Sequence, residues 1–158
     1  MKSIKQIAEE SFLVENWEMK DWNQEWIDTI RKRPNRDRFI EEVVSMFENN
    51  KMMFLSVNEW HRGIGKSEFL LEVADEYNFP LVVGLRGHAK FLRDRYLYKK
   101  KKPCDLKIDI FESLKGKVEG HKYILIDEGV SDEAIKEIKE LGLIPIGFKV
   151  VSEYYKLI

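Results

Sequence analysis

The sequence has little cysteine, few prolines and no long apolar run. Cys104 is its only cysteine, which excludes a disulfide within the chain and a cysteine-based metal cluster. The longest apolar run, residues 141–148, is interrupted by Gly142, Pro145 and Gly147 and is too short to cross a membrane. The first residues lack the apolar core of a signal peptide. We therefore expect a cytoplasmic protein that makes no membrane contact.

The composition is that of a soluble globular protein of one domain, with 44% apolar and 35% charged residues among 158. Its net charge is only −1, but the positive charge is concentrated. Residues 86–107 contain nine lysines and arginines and only two aspartates. Such a segment is typical of a surface that contacts nucleic acid. The alternative is a solvated segment whose charges oppose aggregation.

The most informative stretch is residues 52–67. An apolar run, Met52 to Val57, predicts a buried strand; a loop with two glycines and then Lys-Ser follows, and an amphipathic stretch begins at Phe69. Glycines let backbone N–H groups surround phosphate oxygens, and the start of a helix favours negative charge. The order of these elements predicts a phosphate-binding loop. Its nucleotide contacts would come from His61, Arg62, Gly63, Ile64, Gly65, Lys66 and Ser67.

The loop departs from the pattern G-x-x-x-x-G-K-[ST] at its first glycine, where this chain has Trp60. Lys66 would reach the β- and γ-phosphates, and the Ser67 hydroxyl would bind Mg²⁺. The alternative interpretation is a glycine turn beside an ordinary surface lysine.

The rest of the chain alternates between apolar strands and amphipathic helices. Further strands are predicted at residues 80–84, 122–128 and 143–150, and a helix is favoured over a strand at 105–115. Alternation of this kind predicts an α/β fold with a mainly parallel sheet of about four to five strands. Residues 1–34 would form an N-terminal helical extension and residues 35–158 the core.

The third predicted strand ends in two carboxylates, Asp127 and Glu128. Parallel strands that follow one another in such a fold present their carboxyl ends at one edge of the sheet, so Asp127 is expected beside Ser67, where it would help to hold Mg²⁺. Glu128 would polarise an attacking water. An apolar strand that ends in an acidic turn does not by itself indicate a metal ligand or a catalytic carboxylate.

On these motifs the chain resembles the additional-strand P-loop ATPases, a class that includes RecA-like motors, AAA+ proteins and viral packaging ATPases. Arg62-Gly63-Ile64-Gly65-Lys66-Ser67, with Leu81 to Arg86 and Leu92 to Arg95, is similar to the ATPase part of phage large terminase subunits. The resemblance covers about residues 38–150. It implies a three-layer α/β/α P-loop fold, ATP and Mg²⁺ as ligands, and a bacterial or phage-infected cell. It also implies catalytic roles for Lys66, Glu128 and Arg62, with Arg86 as a second candidate for charge stabilisation.

The function expected from these features is an Mg²⁺-dependent ATPase that acts on or with nucleic acid through residues 86–107, as in phage or mobile-element packaging or replication. Glu128, and the lack of an Asn-Lys-x-Asp motif, favour ATP over GTP. Two alternatives stay open: a regulatory protein that binds nucleotide without turnover, and a small nucleotide kinase, since Asp94-Arg95-Tyr96 resembles a thymidylate kinase motif. A protein partner or a homo-oligomer is compatible with each. The histidines His61, His88 and His121 are too scattered to predict a metal site.

Overall fold

The computed structural model describes residues 1–17, 35–48, 53–57 and 63–150. In chain order its elements are α1 (Ile4–Ser11), α2 (Val14–Trp17), α3 (Arg36–Glu48), β1 (Met53–Val57), α4 (Lys66–Tyr77), β2 (Leu81–Val82), α5 (Arg86–Lys100), β3 (Ile108–Asp109), α6 (Phe111–Leu114), a 3₁₀ turn (Lys115–Lys117), β4 (Tyr123–Ile126), α7 (Asp132–Glu140) and β5 (Ile144–Val150).

The five described strands form one sheet in the order β1-β5-β4-β2-β3. Every neighbouring pair is parallel. The predicted α/β fold with a parallel sheet is therefore confirmed. Because all the strands run the same way, the residues that follow them meet at one edge of the sheet.

Apolar side chains cover both faces of the sheet, as expected for a parallel sheet. Strand β4 shows the alternation directly, since Leu125 packs into one cluster while Ile124 and Ile126 pack into the other. The larger cluster takes its helical residues from α1, α3, α4 and α5. The smaller one takes them from α6 and α7. The sheet is thus a middle layer between two helical layers.

Short polar side chains and left-handed residues set the helix ends. Ser131 caps α7 by accepting a hydrogen bond from the Ala134 N–H at 3.2 Å, and Asn35 caps α3 by accepting one from the Arg38 N–H at 3.1 Å. Helix α5 ends where Lys101 takes a left-handed conformation, two residues before Pro103.

Residues 105–115 differ from the prediction. A helix was favoured there, but Ile108 and Asp109 form strand β3, which pairs with β2, and only Phe111–Leu114 are helical. The apolar residues in this stretch fit both the alternation of a strand and the spacing of a helix. Pairing with the β2 backbone favours the strand at Ile108 and Asp109. The described sheet consequently has a fifth strand.

Some predictions lie outside the described residues. These are residues 18–34 of the predicted N-terminal helical extension, and the first part of the glycine loop, including Trp60, His61 and Arg62. Within the described residues, no helix has both the length and the apolar character needed to span a membrane.

Candidate functional site at the carboxyl edge of the sheet

The candidate site lies where β4 and β2 end and where α4 begins. Asp127 and Glu128 follow β4 directly, and Gly84 lies two residues after the end of β2. The order of the strands makes β2 and β4 neighbours. Residues from the three segments therefore converge on one point, although they are far apart in the sequence.

The described part of the glycine loop has a backbone that favours glycine. Gly63 and Gly65 have φ angles of +73° and +107°, in the left-handed region where a side chain is unfavourable. A Cβ on Gly65 would also lie 2.4 Å from the Ser11 carbonyl oxygen. The end of α1 therefore packs directly against this loop, and Ile64 between the two glycines is fully buried.

Helix α4 begins with the two polar residues of the loop motif. Lys66 is only 7% exposed, which is unusual for a lysine and requires a partner for its charge. Its Nζ lies 3.6 Å from Glu128 Oε2. Glu128 itself is 43% exposed, so this pair lies at the boundary between the buried site and solvent.

Asp127 is 3% exposed and is surrounded by hydrogen-bond donors. Its Oδ2 accepts from Ser67 Oγ at 3.0 Å and from His88 Nε2 at 2.8 Å. Its Oδ1 accepts from the Glu128 backbone N–H at 2.8 Å. His88 Nε2 also lies 3.5 Å from Ser67 Oγ, so these three side chains form one compact group.

These contacts keep Asp127 ionised. Burial by itself raises the pKa of the Asp127 carboxyl, but the hydrogen bonds from His88, the Glu128 N–H and Ser67, with the charge on His88, hold that pKa below its ordinary value. In the opposite direction, the hydrogen bond to Asp127 raises the pKa of His88, while partial burial opposes the rise. The site thus contains a buried carboxylate next to a histidine whose charged form that carboxylate stabilises.

His88 is the site residue that the sequence analysis did not identify. It was considered only as a metal ligand together with two distant histidines. It lies on the first turn of α5, just after β2, and the neighbouring strand β4 ends in Asp127. Attention to polar residues that follow neighbouring parallel strands would have placed it here.

The structure brings together four of the predicted site residues: Lys66, Ser67, Asp127 and Glu128. Gly63, Ile64 and Gly65 lie in the loop immediately before them. Arg86 is exposed at the start of α5 and has no ion pair with a described residue. His61 and Arg62 lie outside the described residues.

Much of the positive charge of residues 86–107 is already paired. Lys99 contacts Glu68 and Glu72, Lys100 contacts Glu72 at 3.0 Å, and Arg95 lies 3.4 Å from Glu68. These carboxylates all belong to α4. The basic segment therefore attaches α5 to α4 through its paired side chains, and only part of it is available for another partner.

A divalent ion would find two suitable side chains here. The described residues contain no group of three or more His, Cys, Asp or Glu side chains that could hold a metal. Ser67 and Asp127 supply a hydroxyl and a carboxylate, which suit Mg²⁺. Mg²⁺ is usually held by one or two protein oxygens together with water and substrate phosphates, so this donor set fits the ion when phosphate is present.

Comparison with known proteins gave no match: no family model, no curated protein and no solved structure matched this chain.

Proposed function

We propose that the chain binds a nucleoside triphosphate with Mg²⁺ at this site and hydrolyses it, with ATP as the expected nucleotide. The observation that carries the proposal is the 3.0 Å contact between Ser67 Oγ and Asp127 Oδ2, two residues 60 positions apart. The buried Lys66, beside Glu128, accompanies it. A lysine, a hydroxyl and two carboxylates at the end of parallel strands are the groups that phosphoryl transfer needs.

The strand order supports a P-loop fold of the additional-strand class. Strand β5 lies between β1, which leads into the glycine loop, and β4, which ends at Asp127. An extra strand between those two is the feature for which the class is named. The two left-handed glycines before Lys66 support a loop whose backbone N–H groups turn toward a phosphate.

Each residue then has a distinct role in the proposed reaction. Lys66 would bind the terminal phosphates and balance their charge, and Ser67 and Asp127 would hold the metal. Bound Mg²⁺ supplies charge neutralisation for the phosphates. Glu128, which is partly exposed, would orient a water molecule and accept its proton. Arg62, from the family resemblance, is proposed to stabilise the γ-phosphate.

No contact among the described residues favours the kinase alternative. Within the motif that suggested it, Tyr96 is buried and donates a hydrogen bond to Asp75 at 3.0 Å, while Asp94 pairs with Lys90 at 3.0 Å. Both contacts stabilise the protein itself. We retain ATP hydrolysis in the service of a nucleic-acid transaction of the phage or mobile-element type, with a homo-oligomer or a protein partner as further proposals.

Two substitutions test the nucleotide site. Lys66→Ala is expected to weaken ATP binding by about ten- to a hundredfold, because the phosphates lose a charged hydrogen bond worth about 1.5–3 kcal/mol. Glu128→Gln should retain ATP binding and slow hydrolysis by about 10² or more, the usual contribution of a general base. Binding is measured with a fluorescent ATP analogue, and turnover by phosphate release with Mg²⁺.

Exposed residues of α7 give matched controls. Lys136→Ala and Glu140→Gln make the same chemical changes away from the site and are expected to leave binding and turnover unchanged. Unfolding curves check that each variant is folded. Full affinity in a folded Lys66→Ala variant would refute the nucleotide site, and equal loss of binding and turnover in Glu128→Gln would refute the role of Glu128.

A further inference from the structure

Helix α5 presents two large aromatic side chains to solvent. Phe91 is 61% exposed and Tyr98 is 69% exposed, whereas the opposite face of the helix buries Ala89, Leu92 and Tyr96. Seven residues make nearly two full turns, so the two rings lie on one side of the helix, about 10 Å apart along its axis. We refer to Lys90, Phe91, Asp94, Tyr98 and Lys101 as the outer face of α5.

The outer face carries a positive charge that no carboxylate in the described part of the chain neutralises. Lys101 Nζ lies 4.7 Å from the centre of the Tyr98 ring. Lys101 forms no ion pair with a described residue, whereas the charge of Lys90 is paired with Asp94. The adjacent Lys102 is directed at the buried Tyr96 ring instead, with its Nζ 5.9 Å from the ring centre. Two aromatic rings and the ammonium group of Lys101 are thus combined on the outer face of α5.

The outer face begins beside the candidate site. The imidazole of His88 and the ring of Phe91 are stacked, with centroids 6.2 Å apart and planes inclined by 10°. His88 in turn donates to Asp127 at 2.8 Å. A ligand that contacts Phe91 is therefore two side chains away from the carboxylate proposed to hold Mg²⁺.

We propose that the outer face of α5 binds single-stranded nucleic acid. Its bases stack on Phe91 and Tyr98, and its phosphates lie near Lys101. An aromatic ring can stack on any unpaired base, but a duplex has its base faces covered, so two exposed rings select the single strand. The single strand would be the partner on which the proposed ATPase acts, so its role rests on the proposed function. Binding of the strand itself needs no nucleotide.

The test measures binding of labelled oligonucleotides to the full chain without nucleotide. The probes are an oligothymidylate of about twenty nucleotides, longer than the roughly 4–16 nucleotides that single-strand sites cover, the matching oligouridylate, and a duplex of equal length. Fluorescence anisotropy gives each affinity. The oligothymidylate and oligouridylate distinguish DNA from RNA as the source of the strand.

The expected result is single-strand binding that falls at least about fivefold in Phe91→Ala and again in Tyr98→Ala, since a stacked base contributes about 1–3 kcal/mol. Leu141→Ala, which removes an exposed apolar side chain at the end of α7, is the control and should change nothing. Absence of binding, equal binding of the duplex, or binding that the two aromatic variants leave intact would each overturn the inference.

Strand binding and ATP binding are measured separately, so that a failure of one proposal can be told from a failure of the other. The same preparation is tested for ATP binding, and Lys66→Ala is tested for strand binding. A chain that binds ATP but no strand refutes only the outer face of α5. A chain whose strand binding depends on both rings, but which binds no ATP, supports the outer face and refutes the nucleotide site.

Discussion

Asp127 is the residue on which the most polar contacts of the site converge. Three of the about four acceptor positions of its carboxylate are already used, by Ser67, His88 and the Glu128 N–H. Mg²⁺, or a water bound to it, would therefore have to displace a donor from Oδ2 or use the position left on Oδ1. Ser67 is itself a proposed metal ligand, so His88, which reaches Oδ2 from α5, is the donor that would compete with the ion.

Removal of the His88 side chain would end this competition for Asp127 Oδ2. We expect His88→Ala to bind Mg²⁺ about tenfold more tightly in the presence of ADP, since a hydrogen bond to a charged group contributes about 1.5–3 kcal/mol. Without metal, the same variant should be less stable to unfolding, because the buried carboxylate loses a partner. Isothermal calorimetry with Mg²⁺ and urea unfolding measure the two effects.

His121→Ala provides the control. His121 lies beside Lys107, so its removal should leave Mg²⁺ affinity unchanged. Weaker Mg²⁺ binding in His88→Ala would mean that this histidine supports the metal site instead of competing with the metal.

At the scale of elements, the pairing of α4 with α5 sets where the candidate site residues lie. Glu72 on α4 accepts hydrogen bonds from Lys99 at 2.7 Å and Lys100 at 3.0 Å on α5. Burial alone raises the pKa of Glu72, but these two hydrogen bonds and the charges of the lysines outweigh it and lower the pKa. The same two helices begin with the site residues Lys66, Ser67 and His88.

This pairing predicts how stability depends on pH. Because the folded state holds the pKa of Glu72 below its unfolded value of about 4.5, Glu72 contributes stability above that pH and loses the contribution as pH falls through the lower, folded value. Between about pH 6 and pH 3, the free energy of unfolding of the unsubstituted chain should fall by up to about 1 kcal/mol more than that of the Glu72→Gln variant.

Urea unfolding at several pH values measures this difference. Glu41→Gln, which alters an exposed carboxylate on α3, serves as the reference. Parallel pH profiles for the native chain and Glu72→Gln would contradict a stabilising role for the pairing.

The elements themselves were largely predictable. Apolar strands, helix caps at Asn35 and Ser131, and the carboxylates after β4 all have local sequence patterns, and the structure follows them. Strand β3 was missed because two residues give too short a pattern, and its pairing with β2 involves the distant Leu81 and Val82. His88 was missed because its role depends on which strands are neighbours, which no local pattern records.

At the scale of the whole molecule, the sheet allows one close approach that only glycine permits. A Cβ on Gly147 in β5 would lie 1.9 Å from the carbonyl oxygen of Ile126, the last residue of β4. We expect Gly147→Ala to destabilise the fold by about 3 kcal/mol or more, since the two central strands would have to separate. It should also weaken ATP binding, because Ile126 precedes Asp127.

Gly116→Ala is the matched control, because a Cβ there meets nothing within 4 Å. Urea unfolding and ATP binding are measured on both variants. A Gly147→Ala chain with native stability would show that the strands can separate at little cost.

The contact between Ser11 and Gly65 has a consequence for how ligands and folding are coupled. The end of α1 packs against the glycine loop, and Arg36 on α3 holds that end by donating to the Phe12 carbonyl at 2.5 Å and the Glu9 carbonyl at 3.0 Å. If the loop binds phosphate best with α1 docked, then docking and binding favour each other by the same factor. The backbone amides of α1 would then exchange their hydrogens more slowly when nucleotide is bound. Local unfolding of α1 would be a route by which the protein releases its ligand.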